Sequence, residues 1–277
     1  MIHAFADADQ KDARLVRLAP EAVDRFLGQV KGSGVPISKS AINEYLACPA
    51  RWALGAIERQ PPDHISEELR LGQGCHAAIA ELLQGDLLKD ETAVALRLGQ
   101  LGVAHHHLPS ATGWVLWAAS FGRQRGGAIT AVEKYVSSGA VPAIWLRGRF
   151  DLVITGGAGG ALELVDWTLG RRPRYVSAQQ LRMALGTAIY RTLLAVDIPD
   201  HPEEVVISEL WVPGRQVISV ELNREDVARA WAEIRSVSDG MRAVADSGLV
   251  RADPGHHCGW CPYRQRCPEA AAPEDAS

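Results

Sequence analysis

Four of the five cysteines in this chain are placed so that its two ends have to meet. Cys48 stands alone near the start, and Cys258, Cys261 and Cys267 follow about 200 residues later with C-x2-C-x5-C spacing. A lone cysteine and a distant tight triplet make poor disulfide partners, but they form the pattern of a closed four-thiolate metal site. The fold must therefore bring the region around Cys48 against the C-terminal segment.

The rest of the composition describes the molecule being clasped. With 277 residues, 47% hydrophobic and 22% charged, the chain can bury a full core. No apolar run approaches the roughly 20 residues of a membrane span. Met1-Ile2-His3-Ala4-Phe5-Ala6-Asp7 lacks the basic flank and apolar block of a secretory signal. The expected compartment is the reducing cytoplasm, where clustered cysteines mean metal or redox chemistry.

Periodicity orders the elements. Residues 1–34 read as an N-terminal extension with one helix at 20–30 and a flexible Lys-Gly-Ser-Gly linker. An amphipathic helix starts at Ser38 or Ser40 and is interrupted near Cys48 by Pro49. A second helix spans 66–83, and further helix is expected across 91–138. The sheet signal begins at 144. Strands at 144–154 and 162–169 form a hairpin around a glycine-rich turn. A helix at 176–196, a second hairpin at 205–212 and 217–222, and a helix from the Asn223 cap to about 247 complete the body.

Strand alternation sets Arg147, Arg149 and Asp151 on one face of the first strand, away from the apolar layer, and lets Asp166 meet Asp151 across the hairpin. Glu163 points the other way. Two adjacent carboxylates call for a neutraliser. Spacing alone leaves two readings open: an oxygen-seeking divalent cation such as Mg²⁺ or Mn²⁺, or surface ion pairs of Asp151 with Arg149 and Asp166 with Arg171.

Taken in order, these pieces resemble the PD-(D/E)XK nuclease superfamily, in particular its RecB-like, Cas4-like and AddB-like branch that carries an iron–sulfur cluster. Tyr45-Leu46-Ala47-Cys48-Pro49 is similar to that branch's opening helix with its first cluster cysteine. Leu71-Gly72-Gln73-Gly74-Cys75-His76 resembles its Gly-x3-His motif, Gly148-Arg149-Phe150-Asp151 its first acidic motif, and Leu164-Val165-Asp166-Trp167-Thr168 its second. Gln180 stands where the family has a glutamine that orients the site, and Cys258, Cys261 and Cys267 match the remaining cluster ligands.

The resemblance implies an α/β (α+β) fold: a restriction-endonuclease-like core with a small mixed central sheet flanked by helices, an N-terminal helical region and a C-terminal cysteine cluster. The nuclease-like domain is expected over 35–268, with 269–277 a disordered tail. His76, Asp151 and Asp166 are implied as Mg²⁺ or Mn²⁺ ligands, and Cys48, Cys258, Cys261 and Cys267 as ligands of a [4Fe-4S] cluster. The implied activity is a metal-dependent exonuclease on DNA ends or single-stranded DNA, with helicase, integrase or other DNA-processing subunits as partners and no membrane.

Two positions depart from the family. Thr168 occupies the place of the lysine that positions and deprotonates the attacking water, and Ala184 stands four residues after Gln180 where a tyrosine is usual. The expectation divides accordingly between a hydrolase with an impaired or altered site, using Asp151, Asp166, Thr168 and Gln180, and an inactive nuclease-like DNA-binding or structural subunit.

Charge distribution supports a nucleic-acid partner that the net charge of −4 alone would argue against. Residues 140–191 hold seven arginines against three acids, a local excess of +4. Arg149, Arg171, Arg172, Arg174 and Arg182 are the candidate phosphate contacts. Other residues read as ordinary. His105-His106-His107 forms a solvated loop before Pro109, Cys75 is a small buried residue, and His256-His257 beside Cys258 leaves a zinc site as the alternative to iron–sulfur.

Overall fold

A computed structural model describes residues 14–63, 65–157, 160–170, 172–198, 205–267 and 269. Most of the expected tail at 269–277, residues 1–13 of the N-terminal extension and the candidate phosphate contact Arg171 lie outside the described residues. The chain forms two compact units, one from Met1–His64, Gly139–Trp145 and Ile234–Ser277, the other from Ile65–Ser138 and Leu146–Glu233.

The first unit joins the two ends. Strand β1 (Arg14–Arg17) pairs antiparallel with β8 (Leu249–Ala252), Arg14 opposite Ala252. Helix α1 (Pro20–Val30) starts on a proline whose missing N–H costs nothing at N1. It buries Ala22, Val23, Phe26 and Val30, one apolar stripe. After β2 (Val35–Ile37), α2 (Lys39–Ala47) is capped by the Ser38 Oγ, which accepts the Ala41 N–H at 3.1 Å. Cys48 is extended (φ −166°), closing α2 and opening α3 (Pro49–Ala56), the break that Pro49 predicts. Trp52 fills the centre, edge-on to Phe26 at 6.1 Å and to Tyr45 at 5.5 Å.

The C-terminal segment is tied to residues 55–63. Gly55 must lack a side chain, since the Tyr263 hydroxyl lies 2.6 Å from where a Cβ would stand. Asp63 accepts the Gln265 N–H at 2.8 Å and ion-pairs with Arg266 at 3.2 Å.

The second unit sets helices against a mixed sheet. Helices α4 (Glu67–Gln84), α5 (Glu91–Gln100) and α6 (Leu108–Gln124) precede β3 (Ala128–Val141), β4 (Ile144–Thr155) and β5 (Leu162–Thr168). Then come α7 (Ala178–Met183), α8 (Leu185–Asp197), β6 (Val205–Trp211), β7 (Gln216–Glu221) and α9 (Arg224–Ser247), whose residues from Ile234 on belong to the first unit. β3 pairs with β4, β4 runs antiparallel to β5, β5 parallel to β6, and β6 antiparallel to β7. Leu152, Ile154, Val165, Trp167 and Leu210 pack with Ile79, Leu82, Leu98 and Val115 in one core. Glu163, the carboxylate pointing away from Asp166, is buried at the end of α6 in a two-pronged pair with Arg125 at 2.7 and 2.9 Å.

Two expected elements differ from the sequence reading, and the short strands β1, β2 and β8 were not foreseen by it. The 91–138 stretch is not helical throughout: residues 128–138 belong to the 14-residue strand β3, so the sheet begins well before 144. Ile129, Thr130, Val132 and Val136 favour a strand, but only Val136 is fully buried, which leaves the alternation too faint to read. The helix expected at 176–196 is two helices, because Ala184 adopts an extended conformation (φ −70°, ψ 127°) between them. Among the described residues, no helix is long and apolar enough to cross a membrane.

Candidate functional site

A polar site is built into the second unit from α4, the sheet and α8. β4 supplies Asp151, which is buried, with its Oδ2 accepting the Trp167 backbone N–H at 2.8 Å. Its burial differs from the solvent-facing position expected from alternation, because both faces of β4 are covered from Phe150 to Ile154. α4 brings His76, whose Nδ1 lies 3.6 Å from Asp151 Oδ1 and 3.1 Å from Glu133 Oε1. Glu133 sits in β3 with a left-handed backbone (φ 50°), a conformation a non-glycine residue keeps only when its surroundings over-determine it. His76, Glu133 and Asp151 each offer one ligand atom, all within 4.8 Å of one another. One imidazole and two carboxylates suit a divalent cation.

Asp166 is close to this group, yet its oxygens are engaged elsewhere. Oδ1 accepts the Tyr190 hydroxyl at 2.8 Å, and Oδ2 lies 3.3 Å from the Arg174 guanidinium. Gly148 lets α8 deliver Tyr190, since a Cβ there would stand 2.7 Å from Leu193. Parallel pairing places Glu209 of β6 beside Asp166 on the same face. Arg174 reaches both carboxylates, 3.6 Å from Glu209 Oε1, and Thr168 Oγ1 donates to that oxygen at 2.5 Å. Arg174 is thus held inside the site while its side chain stays 39% exposed. Thr168, in the lysine position, is buried and neutral, and the nearby positive charge comes from Arg174.

The remaining expected residues make separate contacts, of which that of Arg149 reaches the site. Gln180 turns back on the segment that leads into α7, its Oε1 accepting the Val176 N–H at 2.9 Å. Arg149 pairs with Glu133 at 2.6 Å, and Arg182 lies 3.7 Å from Asp226. Arg172 is exposed. Glu133, Glu209 and Tyr190 were missed by the sequence reading. Glu209 was within reach of it, because a strand–helix–strand order predicts β5 and β6 as parallel neighbours.

The electrostatics follow from burial and crowding. Burial, then the Asp166 charge, push the Asp151 carboxyl up to about 7. Burial pulls the His76 imidazole down, but the Glu133 hydrogen bond and the charges of Asp151, Glu133 and Asp166 outweigh it, leaving a net rise. Burial and the same two aspartates keep Tyr190 a neutral phenol. Below 3.8, the ordinary carboxyl value, the stability Asp151 contributes is fully present; it is lost as pH rises to about 7, because the folded state holds the extra proton between those values. A cation must displace that proton. Apparent Mn²⁺ affinity, measured by calorimetry, is expected to rise up to about tenfold per pH unit toward 7 and then level; a flat profile would remove Asp151 from the ligand set.

The first unit holds a second constellation. Cys48, Cys258, Cys261 and Cys267 line one pocket with Arg51 and His257. None is in a disulfide. The Gly255 N–H points at Cys258 Sγ at 3.4 Å, as a donor toward a thiolate would. Burial pushes the Cys261 thiol up, opposed by the Tyr263 backbone and the Arg51 charge. The four cysteines expected to share one centre thus line one pocket. Cys75, by contrast, is fully buried in the second unit, where burial raises it to about 12 and leaves it an inert thiol.

No curated protein matches the chain. Among solved structures, a candidate exonuclease from Eubacterium rectale is similar at TM-score 0.50 and 9% identity, over 86% of this chain and 90% of that one, a likeness of fold alone. The SSO0001 protein aligns at TM-score 0.40 and 12% identity, over 91% and 96% of the two chains. The mixed sheet flanked by helices is that of the restriction-endonuclease-like core. The sequence model of the PD-(D/E)XK nuclease superfamily covers residues 36–268, from within β2 to just past Cys267, and this chain belongs to that superfamily.

Proposed function

We propose that this protein is a divalent-metal-dependent DNA exonuclease with an altered active site, acting on single-stranded DNA or DNA ends within a DNA-processing or repair complex that includes a helicase or integrase subunit. The observation that carries the reading is the convergence of His76, Glu133 and Asp151 within 4.8 Å, beside a second carboxylate pair that Arg174 neutralises. Mg²⁺ or Mn²⁺ there would polarise a phosphodiester and acidify a water. The Trp167 N–H fixes Asp151, and Tyr190 fixes Asp166. Arg174 compensates the buried charge of Asp166 and Glu209, and its exposed edge offers a guanidinium fork to phosphate. Arg149, Arg171, Arg172 and Arg182 extend that phosphate surface in this reading. The four cysteines hold a [4Fe-4S] cluster that serves as a structural clasp.

Thr168 favours a second reading, a nuclease-like module that binds DNA without cutting it, because neither threonine nor a permanently protonated arginine takes a proton from water. Mn²⁺-dependent cleavage of single-stranded and duplex DNA by native, Asp166→Ala and Thr168→Lys proteins decides between the two. Cleavage by the native protein that disappears in Asp166→Ala supports the hydrolase. Cleavage that appears only in Thr168→Lys establishes the binding module.

A further inference from the structure

The histidine run expected to be a loop is a single 3₁₀ turn, His105–His107, leading directly into α6. Two of its rings face the start of α4. His106 Nε2 lies 3.0 Å and His107 Nε2 3.3 Å from the same oxygen, Glu67 Oε1. The rings tilt by 42° with centroids 4.1 Å apart, so both aim one nitrogen at one point. We propose that Glu67, His106 and His107 form a second cation site, selective for a borderline divalent ion such as Zn²⁺ or Ni²⁺, that clips the start of α4 to the turn before α6.

The three donor atoms lie within 4.8 Å of one another, close enough to share one ion. Neutral imidazole presents a lone pair at one ring nitrogen, and a carboxylate oxygen flanked by two lone pairs is repelled until a proton or a cation stands between them. Two imidazole nitrogens with one carboxylate suit Zn²⁺, Ni²⁺ or Cu²⁺ and suit Mg²⁺ poorly, which prefers oxygen alone. Glu67 is the first residue of α4, directly after the Ser66 cap. With Glu67 48%, His106 67% and His107 30% exposed, water can complete the coordination. His76 lies nine residues further along α4 than Glu67, about 13 Å along the axis. The clip is therefore distinct from the His76 site and holds whether or not the protein cuts DNA. α4 and α6 pack together, so an ion at their ends stabilises the layer that carries His76.

The test counts Zn²⁺ bound to the full chain in excess Mg²⁺, for the native protein and for His106→Ala/His107→Ala, with melting followed in parallel. The double variant is expected to bind one Zn²⁺ fewer and to gain less melting temperature from zinc. Glu67→Gln is expected to weaken that same ion about tenfold or more. The difference spectrum of Co²⁺-loaded native and variant proteins should lack sulfur-to-cobalt charge transfer, which separates this site from the cysteine pocket. Equal stoichiometry and affinity in the double variant would overturn the proposal, leaving a hydrogen-bonded turn, even if its metal-free form melted lower.

Discussion

Glu133→Gln is expected to lower Mn²⁺ affinity about 100-fold and, if the protein cuts DNA as proposed, to reduce cleavage in step. The substitution keeps the size and a hydrogen-bonding oxygen 3.1 Å from His76 Nδ1, so the loss reports charge. Without that charge, the cation must be held by His76 and Asp151, and Arg149, 2.6 Å from Glu133, loses its partner and adds repulsion. Electron paramagnetic resonance of free and bound Mn²⁺ reads the binding directly, whatever the catalytic rate. Asp166→Asn supplies the contrast. If the ligands are His76, Asp151 and Asp166, as the family resemblance implies, Asp166→Asn will be the more damaging change. If Glu133 is the third ligand, Glu133→Gln will be worse, because Asp166 is already occupied by Tyr190 and Arg174.

The second large effect is expected at the cysteine pocket. If the pocket holds the proposed iron–sulfur cluster, Cys261→Ser should remove its brown colour, iron and labile sulfide, and lower the melting temperature by more than about 10 °C. A thiolate-bound metal contributes on the order of 10 kcal/mol to a fold that depends on it, and for a chain of this size each 1 kcal/mol moves melting by roughly 2–4 °C. Cys261 is buried, and its serine would leave a hydroxyl where a sulfur is needed. A colourless, zinc-containing native protein with the same loss of stability would assign the pocket to zinc with His257 nearby. Unchanged absorbance and unchanged melting would eliminate the metal clasp.

How far the sequence reached follows from the range over which each signal acts. The caps at Ser38 and Asn223, the break at Cys48-Pro49 and the 144–168 hairpin are local, and the structure has them where the residues predict. The Asp151–Asp166 neighbourhood followed from register, one residue beyond the Leu152–Val165 pair. Glu133 escaped because its placement depends on a left-handed backbone in a weakly alternating strand, which only the folded surroundings enforce. Tyr190 escaped because a helix break at Ala184 re-aims α8, so a tyrosine ten residues from Gln180 reaches Asp166 although Ala184 cannot. Arg174 was expected at phosphate. In the structure it also engages two carboxylates, one of them on a strand 35 residues further along the chain.

The interleaving of the two units has a consequence for biosynthesis. The unit bearing the carboxylates is complete at Glu233, whereas the other needs residues on both sides of it in the chain. At about 5–20 residues per second, Cys48 leaves the ribosome roughly 10–40 s before Cys258 follows. Over that interval its thiol has no cysteine partner from the C-terminal triplet, while the inserted unit can already collapse. A metal held by all four cysteines could therefore be loaded only after the inserted unit has been made, and a shortage of it would leave the pocket open beside a unit already free to fold.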